Sequence, residues 1–195
     1  MAIKAAPGER YTIRRQVFRI LGAGFDVYNA QGQPIGYCKQ RALRLREDLR
    51  IYTDRSESRE LLRIAARQII DWAATYDVCL PTGEVIGSLR RKGLKSVLKD
   101  EWHIMDASGR QIAVLLEDST FKALVRRFVD FGALLLPQRF SLTDGNGTRI
   151  AWYRQHFNPF VYRLGVSVLT DHDQIDDLMI LAAGCLLAAI EGRQG

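Results

Sequence analysis

The chain has little of what marks most recognisable sites. Its 195 residues include only three cysteines, Cys38, Cys79 and Cys185, far apart and with no C-x-x-C pair. That argues against a disulfide framework and a zinc site, and fits a reducing, cytoplasmic setting. The three histidines, His103, His156 and His172, are equally scattered, with no H-x-x-x-H spacing, so neither a metal site nor a cofactor is expected. Asp171, Asp173, Asp176 and Asp177 do not make a calcium loop, because Ile175 and Asp176 stand where a ligand and a glycine belong. Gly22-Ala23-Gly24 leads into a strand, not a helix, so no phosphate loop follows. No nucleophile motif stands out, and a non-enzymatic protein is expected. The start, Met1 to Gly8, lacks the apolar stretch of a secretory signal.

What is present is an ordinary globular composition, 47% apolar and 26% charged, at a length that suits one domain. The net charge of +6 is unevenly spread: residues 1–100 carry 19 Lys/Arg against 11 Asp/Glu, and residues 101–195 carry 9 against 11. A basic half of this kind points to an anionic partner such as a membrane surface, a nucleic acid or a phosphorylated ligand.

An internal repeat organises the chain. Seven residues after each of Phe25, Tyr76, Trp102 and Phe140 comes a glycine: Gly32, Gly83, Gly109 and Gly147. Ten residues after come Ile35, Ile86, Ile112 and Ile150; the eleventh is small, Gly36, Gly87, Ala113 or Ala151. This is the pattern of a β-hairpin: an alternating strand, a polar turn with glycine where φ is positive, and an apolar return strand. A degenerate copy begins at Ile51 and turns at Asp54–Ser58 to reach Leu61. There Leu61, Leu62, Ala65, Ala66, Ile69 and Ile70 also recur with helical spacing, and the repeat register favours strand. Residues 121–136 are open to either reading, with a break at Pro137.

Leu178–Ile190 carries no charge over 13 residues. It is shorter than the roughly 20 residues a bilayer span needs, and it is apolar all round, so it cannot lie on a surface. Asp173, Asp176 and Asp177 offer an N-cap and Gly192 a stop. Burying its Leu, Met and Ile side chains contributes on the order of 10–20 kcal/mol before entropy. Short strands with regular turns, and a helix that must be enclosed, predict a mainly β protein: a closed barrel of antiparallel hairpin repeats around a buried C-terminal helix.

This pattern, with Arg91-Lys92-Gly93-Leu94-Lys95-Ser96 ahead of Trp102 and the ending Leu164-Gly165-Val166-Ser167-Val168 through Asp171-His172-Asp173, resembles the Tubby-like superfamily. It looks most like the bacterial LURP-one-related proteins, with the phospholipid scramblases as relatives. The resemblance implies about 12 strands in a single domain over residues 11–192, preceded by a flexible N-terminus over residues 1–10. The chain departs from the scramblases. Phe160-Val161-Tyr162-Arg163 stands where they carry an acidic calcium-binding segment, and their proline-rich N-terminus and clustered cysteines are missing. Calcium-activated scrambling is therefore not expected. Tubby proteins bind phosphoinositides on the barrel surface, a property that the resemblance raises without a residue-by-residue match.

The repeat also carries a basic feature. Lys39 and Arg41, then Arg90, Arg91 and Lys92, then Arg154 and His156 stand fourteen to sixteen places after their aromatics, with Arg67 in the degenerate copy and Lys95 close by. Equivalent places in a barrel of hairpins fall at one rim, so Lys39, Arg41, Arg67, Arg90, Arg91, Lys92, Lys95 and Arg154 are the candidate anion-binding residues. The expected function is a binding module for anionic phospholipid headgroups or other phosphorylated ligands, peripheral to a membrane and without a transmembrane span. The alternatives are a nucleic-acid-binding or regulatory protein and a protein-interaction scaffold without a small ligand. Neither a helix-turn-helix nor an RNA-binding signature supports the first of these.

Overall fold

The computed structural model describes residues 6–16, 23–40, 48–70, 73–92, 101–118, 137–156, 161–173 and 175–191. These residues form strands β1 (Tyr11–Arg15), β2 (Ala23–Asn29), β3 (Pro34–Gln40), β4 (Asp48–Tyr52), β5 (Glu60–Ile70), β6 (Ala73–Cys79), β7 (Val85–Arg91), β8 (Glu101–Asp106), β9 (Gln111–Glu117), β10 (Arg139–Asp144), β11 (Arg149–Gln155) and β12 (Arg163–Val168), followed by a helix, α1 (Asp177–Glu191). Each strand pairs antiparallel with its sequence neighbours. β12 pairs with β1, which closes the sheet into a barrel and leaves no open edge. The mainly β closed barrel around a C-terminal helix that the sequence predicts is the architecture observed.

The repeat glycines sit where the turns need them. Gly32, Gly83, Gly109 and Gly147 have φ of 77°, 89°, 81° and 85°, and each N–H donates to the carbonyl three residues back. The ladder slips by one residue beside each turn, which is the three-residue hairpin with a glycine bulge. Asn29, Asp106 and Asp144 tighten three of these turns by accepting the N–H two residues on.

The degenerate copy is a strand hairpin too, and the helical spacing over residues 61–70 is overridden by pairing with β4 and β6. Its turn is longer. Thr53 N–H donates to the Arg59 carbonyl, so Asp54–Ser58 closes a span that three residues close elsewhere. The place of Phe25 in the repeat is therefore held by Leu49, two residues before Ile51, and Glu57 takes the positive φ of 58°. The extra length folds back over the outer wall. Arg55 donates from Nε and Nη2 to the two oxygens of Asp26 at 2.8 and 2.6 Å, Glu57 takes Lys39, and the outward-pointing Tyr37 is buried. Residues 121–136 lie outside the described residues.

The lumen is filled by α1. Asp176 caps it, its carboxylate accepting the N–H groups of Leu178 and Met179 at 2.8 and 3.0 Å. Every residue from Met179 to Ala189 is buried, on all faces of the helix, and Gly184 packs on Ile13, Val166 and Tyr153. On the other wall, Met179 meets Gly87, and Leu186 and Leu187 meet Leu89, Trp102 and Leu115. The helix thus runs from the tight-turn end of the barrel to the opposite end. Tyr153 reaches in from β11 and donates its hydroxyl to the Ile180 carbonyl at 3.0 Å. The small eleventh place of the repeat, Gly36, Gly87, Ala113 and Ala151, points inward, and it is the layer that leaves room for the helix.

One layer past Leu89, Trp102 and Leu115 the inward positions turn polar, with Gln40, Glu117 and Gln138 buried and Arg15 and Arg91 on the same side of their strands. This layer lies level with the last turn of α1, which carries no basic residue of its own and whose final carbonyls favour donors and positive charge. The ordered part of the domain also begins before Tyr11. Glu9 is 6% exposed against the barrel wall, and Arg10 donates to both oxygens of Asp177 at 2.7 and 2.6 Å. Residues 6–10 thus make contacts with the barrel, and residues 1–5 lie outside the described residues. No helix among the described residues is long and apolar enough to cross a membrane.

Because α1 is enclosed, truncating its core side chains is expected to destabilise the whole barrel. Leu187→Ala should lower the unfolding free energy by about 2–5 kcal/mol in urea titrations, the range for a large-to-small change at a buried site.

Candidate anion-binding surface

The strand ends opposite the tight turns carry the sequence-derived cations, but strand alternation sends them to different places. Lys39 points outward and is held by Glu57. Arg67 is taken up bidentately by Asp77 at 2.9 and 2.6 Å, and Lys92 donates to Glu101 at 2.9 Å. Arg91 lies on the inner side, its guanidinium 5.7 Å from the Trp102 ring centroid. Arg90 and Arg154 are outward and exposed, and neither makes an ion pair among the described residues. Arg41 and Lys95 lie outside the described residues. The six described residues thus divide between the two faces of the wall, with Arg91 inward and Lys39, Arg67, Arg90, Lys92 and Arg154 outward or at a strand end.

Barrel closure assembles a denser cluster. Arg154 on β11 lies directly opposite Arg139 on β10, and on its other side opposite Gly165 of β12, which faces Thr12 of β1. In the next row Arg163 of β12 faces Arg14 of β1. His156, just beyond β11, bonds through its N–H to the Arg163 carbonyl at 2.9 Å. Arg139 and Arg154 are both exposed, and no carboxylate among the described residues pairs with either. Like charges set opposite each other on one sheet face repel, and Asp118, across the ladder from Arg139 on its other side, makes no ion pair with it but offsets part of that repulsion.

Two carboxylates border this field, Asp118 just beyond β9 opposite Arg139 and Asp26 on β2 opposite Arg14, and a third enters it from outside the sheet. Glu9, from the segment before β1, lays its side chain over Gly165, in space that a Cβ at that position would occupy. An ionised carboxylate only accepts, so the His156 Nε2–H donates to Glu9 Oε1. Thr12 Oγ1 and the Ala6 N–H donate to Oε2 at 3.3 and 3.1 Å. Burial pushes the Glu9 carboxyl up, but the hydrogen bonds from His156 and Ala6, with the charge of Arg163, outweigh it, and the group titrates below its ordinary value.

Paired guanidiniums with a histidine N–H and a hydroxyl suit the oxygens of a phosphate or carboxylate group, which they can hold by charge-assisted, bidentate bonds. No group of three or more His, Cys, Asp or Glu able to hold a metal ion occurs among the described residues. No family model matches the chain, and no curated protein is similar to it. The sequence reading reached Arg154 and His156 through the repeat but missed Arg14, Arg139 and Arg163. Glu9 and His156 are 147 positions apart, and only the pairing of β12 with β1 makes them neighbours.

Native Glu9 holds its proton less tightly than an unfolded glutamate. Its stabilisation is therefore complete above the ordinary carboxyl value of 4.5 and is lost as pH falls through the lower native value. Glu9→Gln is expected to cost about 1–3 kcal/mol at neutral pH. The gap to wild type should close in acid, as urea unfolding at a series of pH values will show.

Proposed function

We propose that this protein is a non-enzymatic binding module for ligands that carry phosphate groups, with the outer wall of β10, β11, β12 and β1 as its binding face. The observation that carries the reading is the Arg139–Arg154 pair, two exposed guanidiniums directly across the ladder with no carboxylate between them. A bound anion would remove their repulsion and add charge-assisted bonds, so the arrangement costs stability in the free protein and returns it on binding. Arg14 and Arg163 extend the positive surface, and Arg90 adds an unpaired charge further round the wall.

Anionic phospholipid headgroups are the ligands that best suit such a face, because a broad convex wall can meet a surface and collect several phosphates. On this reading the protein is cytoplasmic, in keeping with its three free cysteines, and peripheral to the membrane when bound. Membership of the Tubby-like superfamily is part of the same proposal. It is supported by the hairpin-repeat barrel enclosing a C-terminal helix, the architecture that the resemblance implies.

Vesicle flotation tests the reading. Wild-type protein should bind vesicles containing phosphatidylserine or a phosphoinositide but not pure phosphatidylcholine, and binding should weaken as salt rises. Arg139→Ala/Arg154→Ala should lose most of that binding while gaining about 0.2–1 kcal/mol in stability from the relieved repulsion. Absence of binding to anionic vesicles and to soluble phosphates alike would overturn the proposal, and tighter binding to nucleic acid than to either would replace its ligand.

A further inference from the structure

We propose that the notch over Gly165 is a phosphate-binding site whose resident occupant is the protein's own Glu9 carboxylate, and that a ligand phosphate takes its place when the N-terminal segment lifts. This rests on the binding face proposed above and adds its regulation: in the free state the strongest part of the face is filled from within.

Three features of the notch support this. First, it is shaped by the barrel and not by the segment that fills it. Gly165 leaves the outer surface of β12 bare between Arg154 and Thr12, and any side chain there would displace the carboxylate. Second, most of the groups that hold the carboxylate stay behind if it leaves. The His156 ring and the Thr12 hydroxyl belong to the wall. Arg163 adds its charge, Arg154 borders the notch, and Arg139 stands one strand further out beside Arg154. Only the Ala6 N–H departs with the segment. Third, one carboxylate is a poor match for this field. It carries a single charge and makes no bond to Arg139 or Arg154, the pair that most needs an anion. A phosphate group brings up to two charges and three acceptor oxygens, enough to engage the histidine, the hydroxyl and a guanidinium together.

The segment is fastened in a way that allows exchange. Besides Glu9 itself, its ties are the Arg10 N–H to the Val166 carbonyl at 2.8 Å and the Arg10 guanidinium to Asp177 and, at 3.6 Å, Asp171. Arg10 and Asp177 are 41% and 48% exposed, and ion pairs as open as this hold little in water. The occupant therefore competes with ligand as an intramolecular anion, and the apparent affinity is reduced to the fraction of time the notch is open.

The test is a titration with inorganic phosphate, followed at the His156 ring by NMR, on wild type, Glu9→Ala and Arg10→Ala, each also with Arg139→Ala/Arg154→Ala. Emptying the notch with Glu9→Ala should tighten phosphate binding about tenfold or more, and loosening the segment with Arg10→Ala should give a smaller gain. Both gains should vanish without the arginine pair. Flotation on phosphatidylcholine vesicles with and without a phosphoinositide separates the sources. A parallel gain there identifies a headgroup, and a gain confined to the titration identifies a soluble phosphate. Unchanged affinity in Glu9→Ala, with loss on removing the arginines, would overturn this inference and leave the binding face standing. Absence of binding in every variant would overturn both. If Glu9→Ala does not fold, unchanged affinity in Arg10→Ala overturns the inference in its place.

Discussion

A barrel of twelve antiparallel strands encloses more space than its own inward side chains fill; roughly eight strands is the size at which they suffice. The apolar C-terminal segment has the opposite problem, since as a helix it has no face that water tolerates. Each solves the other. The enclosure of α1 explains why the eleventh place of the repeat is glycine or alanine and why Gly87 lies against Met179. It also explains why Tyr153 can spend its hydroxyl on a helix carbonyl in the middle of the core. The polar layer at the far end follows as well, because a helix that ends in a lumen without basic residues in its last turn needs the wall to supply donors.

Filling the lumen moves any chemistry outward. The gap between α1 and the strands at Leu89, Trp102 and Leu115 has no room for a water molecule, so no ligand enters the barrel there. On that wall most cations are tied to carboxylates and serve the fold: Lys39 and Arg55 pin the long turn of the β4–β5 hairpin, and Arg67 bridges β5 to β6. Among the described residues the exceptions are Arg90 and the region where the barrel closes. There β10, β11, β12 and β1 set Arg139 against Arg154 and Arg163 against Arg14, with Asp118 beside Arg139, Asp26 beside Arg14, and Glu9 laid in from the segment ahead of β1. This junction joins the first and last strands of the sheet, and it is where the proposed binding face lies.

The fold was legible in the sequence because its signals are local and repeated. Four glycines at one spacing mark four positive-φ turn positions, and the uncharged stretch from Leu178 to Ile190 admits only burial. The degenerate hairpin misled by two residues, since Ile51 keeps the spacing to Tyr76 while the longer turn moves the equivalent place to Leu49. The site was legible only in part. Arg154 and His156 belong to a repeat copy and could be found. Arg14 and Glu9 come from the start of the chain and meet β12 only through closure, while Arg139 and Arg163 lie outside the repeat places that marked Arg154. Strand alternation also divides adjacent cations of the expected rim: Arg90 and Arg91 face opposite sides of β7 and cannot act on one surface.

Hydrogen exchange under native conditions reads the enclosure of α1 directly. If the helix fills the barrel, the amides from Leu181 to Leu187 should exchange only by global unfolding, with the same free energy and urea dependence as the slowest amides of the strands around it. Exchange of those helix amides at a markedly lower free energy, with little urea dependence and the strands still protected, would show that α1 leaves without opening the barrel and would contradict the structure's central arrangement.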